Sequence, residues 1–259
     1  VTQPGTELAD LLADRSIACR RGLPPLSSVT ELTSWIDERG VVLVSGKSAL
    51  PNAAEAIAGR AIGGSWWGDP EGSLIYRLLN ELEDRAGDYL DLVLVEGKRT
   101  LIAPHLTPIV RAVASDPERR RRATDALKEP ARPLLGLLAG GRTVRSDDQA
   151  HSGTAERTAR AALEARLLAR STSVHTMSGH HASVLEAYGE HAVNEQRATG
   201  GLRELLEASL ASAVVAEQGE VDKWFRFVEP DRGARSAAIE ALGTRQIRAN
   251  GRIWLTLDN

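Results

Sequence analysis

Apolar residues recur at helical spacing from Glu7 to Cys19, with Leu8, Leu11 and Leu12 on one side. That spacing predicts an amphipathic helix, which Gly22, Pro24 and Pro25 bring to an end. A second helix is expected from Ser28 to a stop at Gly40, because Ser28 and Glu31 stand in capping-box register ahead of Trp35 and Ile36. Val41 to Val44 is a continuous β-branched run and reads as a buried strand. Asn52 then opens an Ala-rich helix from Ala53 to Ala61, and Leu74, Leu78, Leu79 and Leu82 mark another from Ser73 to Arg85. Alternation over Leu90 to Val95 and Lys98 to Ile102, around Glu96-Gly97, predicts a hairpin. A short helix from Ile109 to Ala114 closes this half.

From Pro130 the pattern changes. A helix carrying Leu134, Leu135, Leu137 and Leu138 stops at Gly140-Gly141, and Thr143 to Ser152 has room for one helical turn. A longer helix is expected from Thr154 to Leu168, then an extended pair, Ala169 to Thr176 and His181 to Ala187, around a turn at Met177-Ser178-Gly179-His180. Helix, short helix, longer helix and hairpin is the order of a winged helix-turn-helix. The C-terminal segment repeats it: a helix from Leu202 to Ala216, a short element from Glu220 to Val228, a helix capped by Asp231 and a hairpin around Asn250-Gly251. The expected fold class is therefore α+β and mainly helical, with tandem winged helix-turn-helix modules carrying short β-hairpin wings. It divides into an N-terminal α+β domain over 1–115 and winged-helix modules over 129–190 and 200–259.

Composition narrows the function classes. The chain has 259 residues and a formal net charge of -3. A surplus of acid argues against a protein that coats nucleic acid indiscriminately, yet local positive faces remain compatible with DNA. A single cysteine, Cys19, excludes an internal disulfide and a thiolate metal cage. No run approaches the ~18 apolar residues of a membrane span, and the acidic start is unlike a secretion signal. The expectation is a cytoplasmic protein without membrane contact.

Candidate chemistry concentrates in arginines. Arg157 and Arg160 fall opposite the stripe Ala155, Ala159, Ala162, Leu163 and Leu167 of the first expected recognition helix, with Glu164 one turn on. Guanidinium groups there suit phosphates or guanine edges. Arg232 and Arg235 begin the second such helix, and Arg245, Arg248 and Arg252 surround its hairpin. His175, His180, His181 and His191 crowd the first wing; adjacent strand positions point to opposite faces, so they read as wing residues, with His175 and His180 as DNA contacts, and no metal is expected. The run Asp116 to Arg122 reads as a solvated helix start or a phosphate-contacting strip. Trp66 and Trp67, in a Gly-rich turn, read as a domain anchor or a base-stacking pair. Gly46-Lys47-Ser48 lacks the earlier glycine of a phosphate-binding loop, because Val41 occupies that position. No nucleotide or other cofactor is expected, and no hydrolytic motif stands out.

Gly64-Ser65-Trp66-Trp67-Gly68, Ile75-Tyr76, Leu163 to Leu168, Ser173 to Thr176 and Gly179-His180-His181 together resemble bacterial AlkZ-related proteins. Across those residues the chain is similar to tandem winged-helix crosslink-repair DNA glycosylases. The resemblance implies DNA repair and a Gln-x-Gln or Gln-x-Asp pair that positions water against an N-glycosidic bond. The glutamines here are Gln3, Gln149, Gln196, Gln218 and Gln246, and none has Gln or Asp two residues on; Gln218-Gly219-Glu220 is the nearest approach. The expectation is thus a winged-helix protein that binds double-stranded DNA without conventional glycosylase activity. The alternatives are a glycosylase with an altered catalytic residue, such as Glu220, and a protein-interaction module.

Overall fold

The computed structural model describes residues 4–85, 89–148, 153–175, 181–189 and 201–258. After a leading helix, α1 (Pro4–Ala18), one order of elements recurs three times: helix, short strand, helical segment, hairpin. The first unit runs α2 (Val29–Arg39), β1 (Val41–Leu43), α3 (Ala53–Ala58), α4 (Gly72–Asp84), β2 (Leu90–Val95) and β3 (Lys98–Ile102). Two connecting helices follow, α5 (Thr107–Ser115) and α6 (Pro117–Asp125). The second unit has α7 (Ala131–Ala139), β4 (Val144–Arg145), α8 (Thr154–Glu164), β5 (Ala169–His175) and β6 (His181–Ala187). The third has α9 (Leu202–Ala213), β7 (Ala216–Glu217), α10 (Gln218–Trp224), α11 (Arg232–Glu240), β8 (Thr244–Ala249) and β9 (Arg252–Leu257). In every unit the first strand pairs antiparallel with the second strand of the hairpin, giving β1-β3-β2, β4-β6-β5 and β7-β9-β8. The fold is α+β with small antiparallel three-stranded sheets.

Local chemistry accounts for the boundaries. Ser28 accepts from the Glu31 amide while Glu31 reaches back to the cap, completing the capping box that starts α2. Asp231 accepts from the amides of Gly233 and Ala234 and so starts α11. Asn250 and Gly251 turn with φ of 52° and 71°, the left-handed pair that matches the twist of β8 and β9.

The first sheet is buried on both faces, which is why β1 reads as an unbroken apolar run. Val42, Val44 and Leu101 pack with α2, α3 and α4. Val41, Leu43 and Ile102 join a second core that takes in α5, α9, Trp224 and Phe225, so units one and three share an interior. Unit two closes its own core around Leu134, Leu138, Leu163 and Leu185.

Several sequence expectations change. Helix α8 ends at Glu164 rather than Leu168 because the chain reverses through Leu167, which has φ 49° and is fully buried. The segment after Gly141 supplies a two-residue strand, β4, in place of a helical turn; residues 149–152 lie outside the described ones. The largest change concerns the charge run 116–122: it starts a helix with Asp116, Glu118 and Arg121 exposed, as expected of a solvated helix start, but three of its arginines turn inward to the protein. Arg119 is 3% exposed and donates to the carbonyl oxygens of Ala114 (3.0 Å), Arg166 (2.5 Å), Leu167 (3.4 Å) and Val228 (3.1 Å). Burial, reinforced by neighbouring Arg120, lowers its pKa to about 10, leaving it charged at neutral pH. Arg120 donates to Ala114 O and Tyr188 O, and Arg122 forks onto the buried Glu229 at 2.6 and 3.0 Å. Helix α6 thereby ties α5, the end of α8 and unit three together.

Candidate functional site

A groove opens between the hairpin of unit one and the α8–β5 face of unit two. Two adjoining cavities of about 650 and 490 Å³ form it, and the polar residues they share are Glu83, Asp91, Arg99, Arg170, Ser171 and Ser173. Strand β5 creates the space: Ser171 and Ser173 alternate on one face and offer short hydroxyl side chains where bulky residues would fill it. Strand β2 supplies the opposing wall, and α8 packs against it.

At one end stands an aromatic shelf. The turn Trp66–Gly68 is a single 3-10 turn stacked on the start of α4. A Cβ at Gly72 would lie 2.8 Å from the Trp66 carbonyl oxygen, so only glycine lets the turn sit this close. The Trp66 and Trp67 rings stack with centroids 4.1 Å apart, and Tyr76 on α4 lies 5.5 Å from Trp67. Trp66 rests against the core of unit one, whereas Trp67 is 67% exposed and Tyr76 is 41% exposed. Asp69 steadies the turn by accepting from the Glu71 amide and from Arg60, and those contacts hold its carboxyl below its ordinary pKa. Of the two roles expected for the tryptophans, anchoring belongs to Trp66 alone, and it anchors within its own unit.

The middle of the groove carries mixed charge. Arg99 grips Asp91 through Nε and Nη2 across the β2–β3 pair. The Asp91 side chain keeps 32% of its surface open to the groove, yet surrounding protein pushes the carboxyl above the usual aspartate range, against the pull of Arg99. Arg170 donates to its cross-strand neighbour Glu186 at 2.6 Å and lies 5.5 Å over the Tyr188 ring. The two cavities are lined by five arginines (99, 111, 157, 160, 170) and three carboxylates (83, 91, 164), a net positive recess.

The arginines expected to face DNA divide. Arg157 is exposed and donates to Thr154 Oγ1 at 3.2 Å. Arg160 is 7% exposed, contrary to the outward face assigned to it: it donates to Val144 O at 3.1 Å and to Ser183 O and Oγ at 3.3 and 3.2 Å. The reason is tertiary, since α8 packs against the β4–β6 pair, whose carbonyl oxygens and Ser183 hydroxyl accept from the guanidinium. Arg235 donates to Glu229 O at 2.7 Å, fixing the loop before α11. Arg245 of the last hairpin is ion-paired with Glu7 of α1 and lies 3.8 Å from Asp258. Arg252 pairs with Glu217 at 2.8 Å. Arg232 and Arg248 are exposed. His175 ends β5 opposite His181, and His180 lies outside the described residues.

Glu220, the alternative catalytic residue, bridges two units. Its Oε1 accepts from Ser48 Oγ (2.7 Å), the Ala49 amide (2.6 Å) and Trp224 Nε1 (3.4 Å), which clamps unit three to the loop after β1. The same contacts place a protein carboxylate against the Ser48 hydroxyl and the Ala49 amide, next to Gly46-Lys47. Among the described residues, no cluster of three or more His, Cys, Asp or Glu is arranged to hold a metal, and no helix is long and apolar enough to cross a membrane.

Sequence patterning missed Asp91, Arg99, Arg170 and the Ser171–Ser173 wall. One signal was present: Asp91 interrupts an otherwise apolar strand, Leu90 to Val95. Comparison with protein-family models, curated proteins and solved structures gives no match for this chain.

Proposed function

We propose that this protein binds DNA and that its three repeated units are winged-helix modules. The supporting observation is the recurrence of helix, strand, helical segment and hairpin with the same strand order in each sheet. In winged helices the last helix and the hairpin are the parts that meet nucleic acid. In unit three Arg232 starts that helix and Arg248 lies on the hairpin, both exposed. Phosphates are the natural partners of such groups, so binding to double-stranded DNA weakens steeply with salt as counterions are released. Titrating a duplex between about 50 and 200 mM salt tests this. Arg232→Ala and Arg248→Ala are each expected to flatten the log–log slope by about one unit. Binding without a salt slope would instead mark a protein-interaction module, and absence of duplex binding at the lower salt ends the reading.

A second reading, a DNA glycosylase with an altered catalytic group, is favoured by one observation: a carboxyl with a raised pKa, Asp91, shares a recess with the aromatic shelf. Release of free base from alkylated duplex, lost in Asp91→Asn, is its test.

A further inference from the structure

The groove between units one and two has the wrong shape for a duplex. A helix enters the major groove of B-DNA by projecting into it, and that groove is about 12 Å wide. Helix α8 does not project: it packs on β2, and its polar face looks into the recess with Arg160 already held by carbonyl oxygens. What the recess offers is a shelf and a charged channel. The outer ring of the Trp66–Trp67 stack is largely uncovered, with Tyr76 beside it, and the adjoining cavity continues towards Arg157. Arg111 is exposed at the shelf end and Arg157 at the other. Planar aromatic faces followed by guanidinium groups fit a thin polyanion that carries planar rings, which is an unpaired nucleic-acid strand.

We propose that this groove takes an unpaired stretch of a DNA strand, with a base stacked on Trp67 and the backbone running past Arg111 and Arg157. The proposal rests on the DNA-binding reading above and adds a second, structurally separate subsite to it. The short hydroxyls of Ser171 and Ser173 leave room for the strand, and the carboxylates Asp91 and Glu83 accept from base N–H groups. Recognition through a stacked face is tolerant of sequence, because every base presents one.

The test compares three labelled probes at low salt: a short oligothymidylate, an abasic strand of the same length and a blunt duplex. Oligothymidylate is expected to bind more tightly than the abasic strand and to quench tryptophan emission. Trp67→Ala, at a position too exposed to endanger folding, is expected to weaken oligothymidylate binding by about 5- to 150-fold. It should leave the abasic strand and the duplex unchanged, and Trp67→Phe should restore most of the loss. Equal binding of oligothymidylate and abasic strand, or an unchanged affinity in Trp67→Ala, overturns the proposal. Salt-dependent duplex binding alongside either of those results overturns this inference alone and leaves the reading of unit three standing. Failure of the duplex with Trp67-dependent strand binding does the reverse.

Discussion

Two arginine-rich regions lie where the units meet, and they use the same side chain in opposite ways. In α6 the guanidinium of Arg119 is enclosed and spends its donors on four main-chain carbonyls, while Arg122 is matched to a buried carboxylate. In the groove Arg99 and Arg170 pair with carboxylates that remain partly open, Arg111 and Arg157 face solvent, and a cavity persists beside them. The difference lies in what surrounds each arginine. The ends of α5 and α8 and the loop after α10 converge on Arg119 and present carbonyl oxygens that a five-donor planar group can satisfy together. Short serines and an open aromatic turn face Arg99 and Arg170, so nothing fills the volume. The first region is a joint, and the second has space for a ligand.

The most severe way to break this contrast is Arg119→Met. It keeps the apolar stem but strips the guanidinium donors from the carbonyls of Arg166, Leu167 and Val228, while Ala114 O keeps Arg120, and a loss of about 3–5 kcal/mol in urea unfolding is expected. A loss below about 1 kcal/mol would mean that α6 is not a joint between the units.

Next in size comes a pair from one helix face. Arg160→Met is expected to cost about 1–3 kcal/mol, since Val144 O and Ser183 O lose a donor inside unit two. Arg157→Ala should change stability by less than about 0.5 kcal/mol, as exposed positions do. Equal effects would erase the distinction between the closed and open ends of α8.

The smallest effect sharpens the groove side. Asp69 has a folded pKa below its ordinary 3.8 because the Glu71 amide and Arg60 favour the carboxylate. For a depressed acid the stabilisation is complete above the unfolded value and disappears as pH falls through the folded one. Emission from the tryptophan turn should therefore hold steady above about pH 3.8 and change below it. Asp69→Asn should remove that local step while leaving the far-UV signal of the helices intact, and a step that survives in the variant would assign it to other carboxylates.

Much of the fold was legible because it is local. Ser28 and Glu31, Asp231 and Asn250-Gly251 act through backbone groups within four residues, so the starts of α2 and α11 and the last hairpin follow from sequence alone. The unbroken run of β1 announced a strand buried on two faces. The two-residue strands β4 and β7 were not legible, being too short to show a period, and with them went the sheet order and the inward turn of Arg160. The candidate site was read only in part. Trp66 and Trp67 stood out by their chemistry, whereas Asp91, Arg99 and the serines of β5 become a site only when unit one faces unit two.

The sequence by itself determined which segments become helices and hairpins, because capping, turn geometry and apolar spacing act over a few residues. Tertiary structure alone decided which arginines are spent on carbonyls and which stay open, and that Trp67 looks into a groove. Burial and partner supply depend on elements tens to hundreds of residues away, and a guanidinium carries no mark in the sequence of what it will meet.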